Sequence, residues 1–350
     1  MTTKAHRAFC SFGDYEALSE GNEMKYKKVT LVFPGQGSQY IGMGKEFYDR
    51  YDFVRDIYDK ASQVLEYDIA DLCFKEHMFG KLVHRAADIN KTIYTQPTML
   101  TTGYACYRVL KERCLEEDID LDAFILAGHS LGEYTALLVA GAMDFETTLK
   151  LVKKRATYMT ESGNAYPDAG LMAIVDRGKE IDYKKLCALC KDLGVYITLN
   201  NTKGQVVVGG AKKRLDALSR ELKKEGKIGR MLKVEGPFHT PIMKPAADKF
   251  KKELDSVRIY IASKPVMANV LTEAIVDPNH IRKELYEQIF NIVNWRGSVE
   301  KIVRHGGDLF IEVGPKRVLA NMMSDIDPSI PTLNVEDMES LETAIKALKG

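Results

Sequence analysis

No apolar stretch in this sequence approaches the roughly 20 residues that a helix needs to cross a bilayer. The first residues, with Lys4, His6, Arg7 and Asp14, also lack the apolar centre of a secretory signal. Charge of one sign is missing as well: 50 Lys and Arg against 49 Asp and Glu leave a formal net charge of +1. That balance gives no electrostatic ground for nucleic acid or an anionic membrane as partner, and neither is expected. Cysteine is sparse, with six residues at 10, 73, 106, 114, 187 and 190 that lack the dense regular spacing of a disulfide scaffold. A reducing, cytoplasmic setting is therefore expected. What remains is an ordinary globular composition over 350 residues, 45% hydrophobic and 28% charged. Such a length accommodates one large unit, alone or with a smaller one.

The most informative stretch is Ala127-Gly128-His129-Ser130-Leu131-Gly132-Glu133. A short apolar run, 124–127, leads into it, and a helical pattern with Tyr134, Leu137, Leu138 and Ala142 leads out. Strand, tight turn and helix is the local reading. G-x-S-x-G in that setting fits a nucleophile elbow, where the glycines let strand and helix pack closely and the serine sits on a strained turn. The following helix would aim unpaired N–H groups and its positive dipole end at the same place. The competing reading is a glycine-rich turn whose serine merely caps a helix.

In chain order, residues 1–25 are polar and without periodicity, and read as a leader or linker. A first strand at 29–33 runs into Pro34-Gly35-Gln36-Gly37-Ser38-Gln39, a turn where backbone amides can approach a ligand. Helical patterns follow at 44–66 and 95–113, with Pro97 at the start of the second. The elbow strand then arrives as the second parallel strand of an α/β layer. Asp144 can cap a helix over 145–160, with Arg155 at the margin of its apolar stripe. That arginine either snorkels outward or, placed under the elbow, grips a carboxylate with two parallel hydrogen bonds.

Between 165 and 233 the pattern changes to βαββαβ: strands at 171–175, 195–199, 205–208 and 231–234, and helices at 183–193 and 212–224. This order predicts a small ferredoxin-like unit, inserted into a large unit formed by 26–164 and 234–350. Cys187 and Cys190 fall inside its first helix, where packing is favoured over metal or redox work. Pro237 and Pro241 bracket His239 and hold it on a stiff loop. Beyond it come helices near 244–255 and 281–290 and strands at 265–270 and 309–313.

Ser130, His239, Arg155 and the Gly35-Gln36-Gly37 turn occur with Thr95-Gln96-Pro97, Ala140-Gly141-Ala142-Met143-Asp144-Phe145, Gly204-Gln205-Val206-Val207, Met243-Lys244-Pro245-Ala246 and Glu312-Val313-Gly314-Pro315. From about residue 28 to the end, the chain so marked resembles the malonyl-CoA:acyl carrier protein transacylases of fatty acid synthesis and the related polyketide synthase acyltransferases. The resemblance implies an α/β-hydrolase-like large subdomain with a parallel sheet and an inserted ferredoxin-like small subdomain. It implies Ser130 as nucleophile and His239 as general base, with the backbone N–H groups of Gln36 and Leu131 as oxyanion hole. Arg155 would pair with the free carboxylate of a malonyl group. The third triad position would be a backbone carbonyl beside Trp295, contributed by Asn294. Phe238 departs from the serine of bacterial transacylases and resembles the phenylalanine of malonyl-selective polyketide acyltransferases, whose bulk crowds an α-methyl group. Leu199 and Lys203 depart from the family's Asn-x-Asn turn.

The reaction so implied is ping-pong: malonyl-CoA acylates Ser130, coenzyme A leaves, and the phosphopantetheine thiol of an acyl carrier protein takes the malonyl group. One thioester is exchanged for another, so no metal and no cofactor beyond the coenzyme A thioester substrate is expected. The alternative on the same scaffold is an acyl-carrier-protein thioester hydrolase, which usually lacks the arginine.

Overall fold

In the computed structural model, residues 26–75, 88–176 and 179–350 are described, and the leader at 1–25 lies outside the described residues. The strands are β1 Val29–Phe33, β2 Ile125–Gly128, β3 Ala169–Val175, β4 Tyr196–Asn200, β5 Gln205–Ala211, β6 Ile228–Met231, β7 Val266–Met267, β8 Ala274–Ile275, β9 Leu309–Val313 and β10 Thr332–Val335. All five residues of β1 are buried. Val29, Leu31 and Phe33 enter one core and Val32 enters another, so the strand has apolar surroundings on both faces. This is why its sequence is an unbroken apolar run instead of an alternation.

Six strands form one sheet in the order β10-β9-β1-β2-β7-β8. Every pair is parallel except the edge pair β7 and β8. The elbow strand β2 lies directly beside β1, Phe33 opposite Gly128, so the two turns that follow these strands emerge side by side at one end of the sheet. The second sheet is antiparallel, in the order β4-β5-β3-β6, with helices Tyr183–Leu193 and Lys212–Lys224 packed on it. Leu186 and Cys190 from one helix and Leu215, Leu218 and Leu222 from the other meet Met172, Ile174, Val206 and Val208 in its core. Cys190 is thus a packing residue, Cys187 is exposed, and the five described cysteines are all free. The two sheets are stitched by a parallel bridge between Leu199 and Val293, through Asn200 N–H to Val293 O and Val293 N–H to Thr198 O.

Several element boundaries differ from the sequence expectation. The helical pattern at 44–66 is two helices, Lys45–Arg50 and Asp52–Leu65, broken where Tyr51 is extended. The next helix begins at Thr92, which places Pro97 in its second turn. The last strand of the small sheet is 228–231, not 231–234. As an edge strand it is largely exposed, and hydrophobicity marks it poorly. The stretch expected as a strand over 265–270 stops at Met267, because Asn269 leaves the ladder and turns its side chain to the elbow. Asp144 does cap the following helix, accepting from Thr147 N–H at 2.8 Å, and that helix extends to Asn164.

Candidate active site

The glycines of the elbow are set by close approach. A Cβ on Gly132 would run into the Phe33 carbonyl oxygen, and one on Gly128 into the Gly132 carbonyl. Strand and helix therefore meet without a side chain between them. Ser130 takes the strain, with φ at 52°, a left-handed conformation that costs a non-glycine residue on the order of 1–3 kcal/mol. The carboxamide of Asn269 spans the turn, its Oδ1 accepting from Ser130 N–H and its Nδ2 donating to Gly128 O, both at 2.7 Å. Leu131 stands at the N-cap of helix Gly132–Val139. Among the described residues, neither its N–H nor that of Gln36 has a hydrogen-bond acceptor. Two donors are thus left free on the turns that follow β2 and β1.

His239 meets the serine from the opposite side, Nε2 to Ser130 Oγ at 2.8 Å. Its Nδ1 lies 2.7 Å from the backbone oxygen of Gln288, and its own N–H donates to Ile289 O at 3.2 Å. Like the serine it has a positive φ, 59°. Gln288 follows directly on helix Pro278–Glu287, so its carbonyl is one of the acceptors that a helix end leaves without an internal partner. Burial, reinforced by the Arg155 charge, pushes the imidazole down to about 3, so the ring is neutral at ordinary pH. A neutral imidazole with its proton on Nδ1 presents a bare Nε2 to the serine hydroxyl, which is the form that accepts a proton.

Arg155 is buried and comes from below, on the helix Phe145–Asn164. Nη2 donates to Ser130 Oγ at 3.1 Å and to Gln288 Oε1 at 2.8 Å, and Nη1 donates to Gln96 Oε1 at 2.8 Å. The guanidinium also lies over the Tyr134 ring, 5.2 Å from its centroid. Desolvation pulls its pKa down, against the opposing pull of Tyr134 and Glu133. Among the described residues it has no carboxylate in ion-pair contact. A cation held by two neutral amides next to a nucleophile is a receptor for an anionic group on the substrate.

A model of the acyl transferase domain matches residues 30–348. The chain is 35% identical over 326 residues to the malonyl CoA-acyl carrier protein transacylase of Bacillus subtilis, covering 92% of this chain and 98% of that protein. The chain belongs to the acyl transferase domain family. Solved acyl transferases share the architecture. The malonyl CoA-acyl carrier protein transacylase of Clostridium perfringens superposes with a TM-score of 0.83 at 32% identity, over 92% of this chain and 98% of that one. A malonyl-transacylase in complex with its type II PKS acyl-carrier protein gives 0.82 at 31% identity, over 91% and 99%.

For this acyl transferase domain, one sequence expectation is corrected. Asn294 does not supply the carbonyl that orients the base; Gln288 does. The Asn294 carbonyl is already engaged by Ser298 N–H at 3.0 Å in the first turn of helix Trp295–Arg304, and its side chain caps that helix through Gly297 N–H. It touches the site only indirectly, its N–H donating to Asn269 O at 2.9 Å. Ser130, His239 and Arg155 are brought together, and Phe238 is buried beside the base. Gln288, Gln96, Asn269 and Glu133 were not assigned site roles from the sequence. Glu133 and Gln96 lie inside stretches that carried the resemblance, but nothing local marks Gln288 or Asn269, which arrive from far along the chain.

Proposed function

We propose that this acyl transferase moves a malonyl group from coenzyme A to the phosphopantetheine thiol of an acyl carrier protein, through an ester on Ser130. The observation that carries the reading is the buried guanidinium of Arg155, within hydrogen-bond distance of the nucleophile. Ser130 Oγ attacks the thioester carbonyl and passes its proton to His239 Nε2. The tetrahedral oxygen is received by the free N–H groups of Gln36 and Leu131, the kind of contact typically worth about 10²–10³ in rate per donor. The C–S bond breaks, and the departing coenzyme A sulfur takes the proton from His239. The carrier thiol then returns a proton to His239 as its sulfur attacks the ester, and Ser130 Oγ leaves with that proton. The malonyl carboxylate rests on Arg155 throughout, replacing the contact that Nη2 now makes with the serine hydroxyl. Phe238 supports selectivity for malonyl over acyl groups branched at the α-carbon.

The chemistry needs no metal and no cofactor, because one thioester is traded for another. The hydrolase alternative has no support: the relatives described above are named transacylases, and an uncharged acyl chain gives a buried guanidinium no work. Nucleic acid is not proposed as a partner. No helix among the described residues is long and apolar enough to cross a membrane. The five free cysteines support a reducing, cytoplasmic setting.

Intact-protein mass spectrometry tests the reading. Mixing with malonyl-CoA should add one malonyl group, Ser130→Ala should abolish the adduct, and a carrier protein should remove it and gain its mass. Loss of the adduct to free malonate, with none reaching the carrier, would return the hydrolase.

A further inference from the structure

One wholly buried carboxyl in the site has no part in the acyl-transfer steps. Glu133 lies in the first turn of the elbow helix, three residues after the serine. Its Oε2 accepts from Gln288 Nε2 at 2.6 Å, and its Oε1 has no hydrogen-bond partner among the described residues. The same Nε2 donates to Ser130 O at 2.8 Å, which uses both protons of the amide, while Gln288 Oε1 accepts from Arg155 Nη2 at 2.8 Å. A carboxamide is nearly symmetric in shape, and only its hydrogen bonds distinguish its ends. Reversed, this one would set its NH₂ against the guanidinium and its oxygen against two oxygens.

We propose that Glu133 is a positioning residue for the acyl anchor: by accepting from Gln288 Nε2 it fixes the carboxamide, and the carboxamide oxygen in turn holds Arg155. The proposal rests on Arg155 being the carboxylate anchor. A neutral carboxyl suits the task, since an ionised one would draw the guanidinium toward itself and compete with the substrate. Burial and the neighbouring Glu284 carboxyl keep Glu133 protonated well above the usual range, against the opposing influence of Gln288 and Arg155. Removing it leaves one amide proton buried without an acceptor and the amide free to turn.

The experiment compares kcat and KM for malonyl-CoA and acetyl-CoA in the wild type, Glu133→Gln, Glu133→Leu, Gln288→Met and Arg155→Ala. Active enzyme is counted by labelling Ser130 with a neutral fluorophosphonate. Gln retains an acceptor, so Glu133→Gln should keep the malonyl preference within about threefold, whereas Glu133→Leu should lose at least about tenfold of it, mainly through the KM for malonyl-CoA. Gln288→Met removes the amide and spares the backbone carbonyl behind His239, so it should lose preference as Glu133→Leu does. If Glu133→Leu fails to fold, Gln288→Met decides alone. Unchanged preference in either folded variant while Arg155→Ala loses it overturns the relay, as does Glu133→Gln failing as badly as Glu133→Leu. Unchanged preference in Arg155→Ala removes the anchor itself, and the relay with it.

Discussion

The imidazole of His239 is oriented by the backbone of Gln288, Nδ1 to carbonyl oxygen at 2.7 Å. A carbonyl only accepts, so the contact fixes the proton on Nδ1 and leaves Nε2 free for Ser130. No side chain can be mutated away to undo it, and no carboxylate is present to hold an imidazolium. The same residue uses its side chain on Arg155, the serine carbonyl and Glu133. Base and anchor are therefore referenced to one point just beyond the helix Pro278–Glu287.

Asn294 gives the first prediction. Its side chain caps the helix Trp295–Arg304 and accepts from Asn200 Nδ2 at 2.9 Å. Asn294→Ala should lower stability by about 1 kcal/mol, the usual cost of a lost cap, and leave kcat for malonyl transfer within a few fold. Urea unfolding and steady-state rates on the same preparation check both. A collapse of kcat at full stability would restore the residue to the catalytic relay.

Arg155→Ala should separate two substrates. Truncating one partner of a buried, hydrogen-bonded charge pair costs about 2–5 kcal/mol. Only the malonyl group supplies the second charge. Malonyl transfer should therefore fall by roughly 10² or more in kcat/KM while acetyl transfer changes far less. Competition between the two thioesters, read from the acyl-enzyme masses, gives the ratio directly; equal losses would mean that the arginine only supports the fold.

The depressed pKa of His239 predicts an unusual pH profile. Labelling of Ser130 by a neutral reagent such as phenylmethylsulfonyl fluoride requires the unprotonated ring. An ordinary imidazole, with a pKa near 6.5, would slow labelling by about tenfold at pH 5.5. With the ring pushed down to about 3, mainly by burial and next by the Arg155 charge, the rate should stay level from pH 7 to 5. Arg155→Ala removes the second cause and not the first. Its midpoint should rise yet remain below 6.5, and a wild-type midpoint near 6.5 would show the ring to be solvated.

What was legible in the sequence is what local pattern encodes. Unbroken apolar runs gave β1, β2 and β9 because those strands are buried on both faces, and G-x-S-x-G gave the elbow because close packing there tolerates no Cβ. The βαββαβ order gave the small sheet. Edge strand β6 was misplaced because solvent on its exposed face erases the pattern. Asn294 was chosen for its neighbour Trp295, but a carbonyl's availability depends on whether a helix has already taken it, and this one had been taken. Gln288 and Asn269 were invisible for a related reason: each acts through a contact with the elbow across more than a hundred residues of chain, and neither sits in a spacing that announces it.

The buried carboxyl of Glu133 ties stability to pH in a direction opposite to that of the histidine. Burial, with Glu284 nearby, raises its pKa in the folded protein, whereas the unfolded chain titrates near 4.5. Below that value both states are protonated, and the full contribution to stability is present. As pH rises, the unfolded chain releases its proton first, so the contribution is lost until the folded pKa is passed. A glutamine never ionises and escapes this loss. The stability of Glu133→Gln relative to wild type should therefore increase between pH 5 and pH 8, by at most about 1.4 kcal/mol per pH unit. His239 changes stability with the opposite sign below pH 6.5, but it is present in both proteins and cancels in the difference. Urea unfolding of both proteins at the two pH values measures it. A difference independent of pH would mean that Glu133 titrates alike folded and unfolded, and that water reaches beneath the elbow.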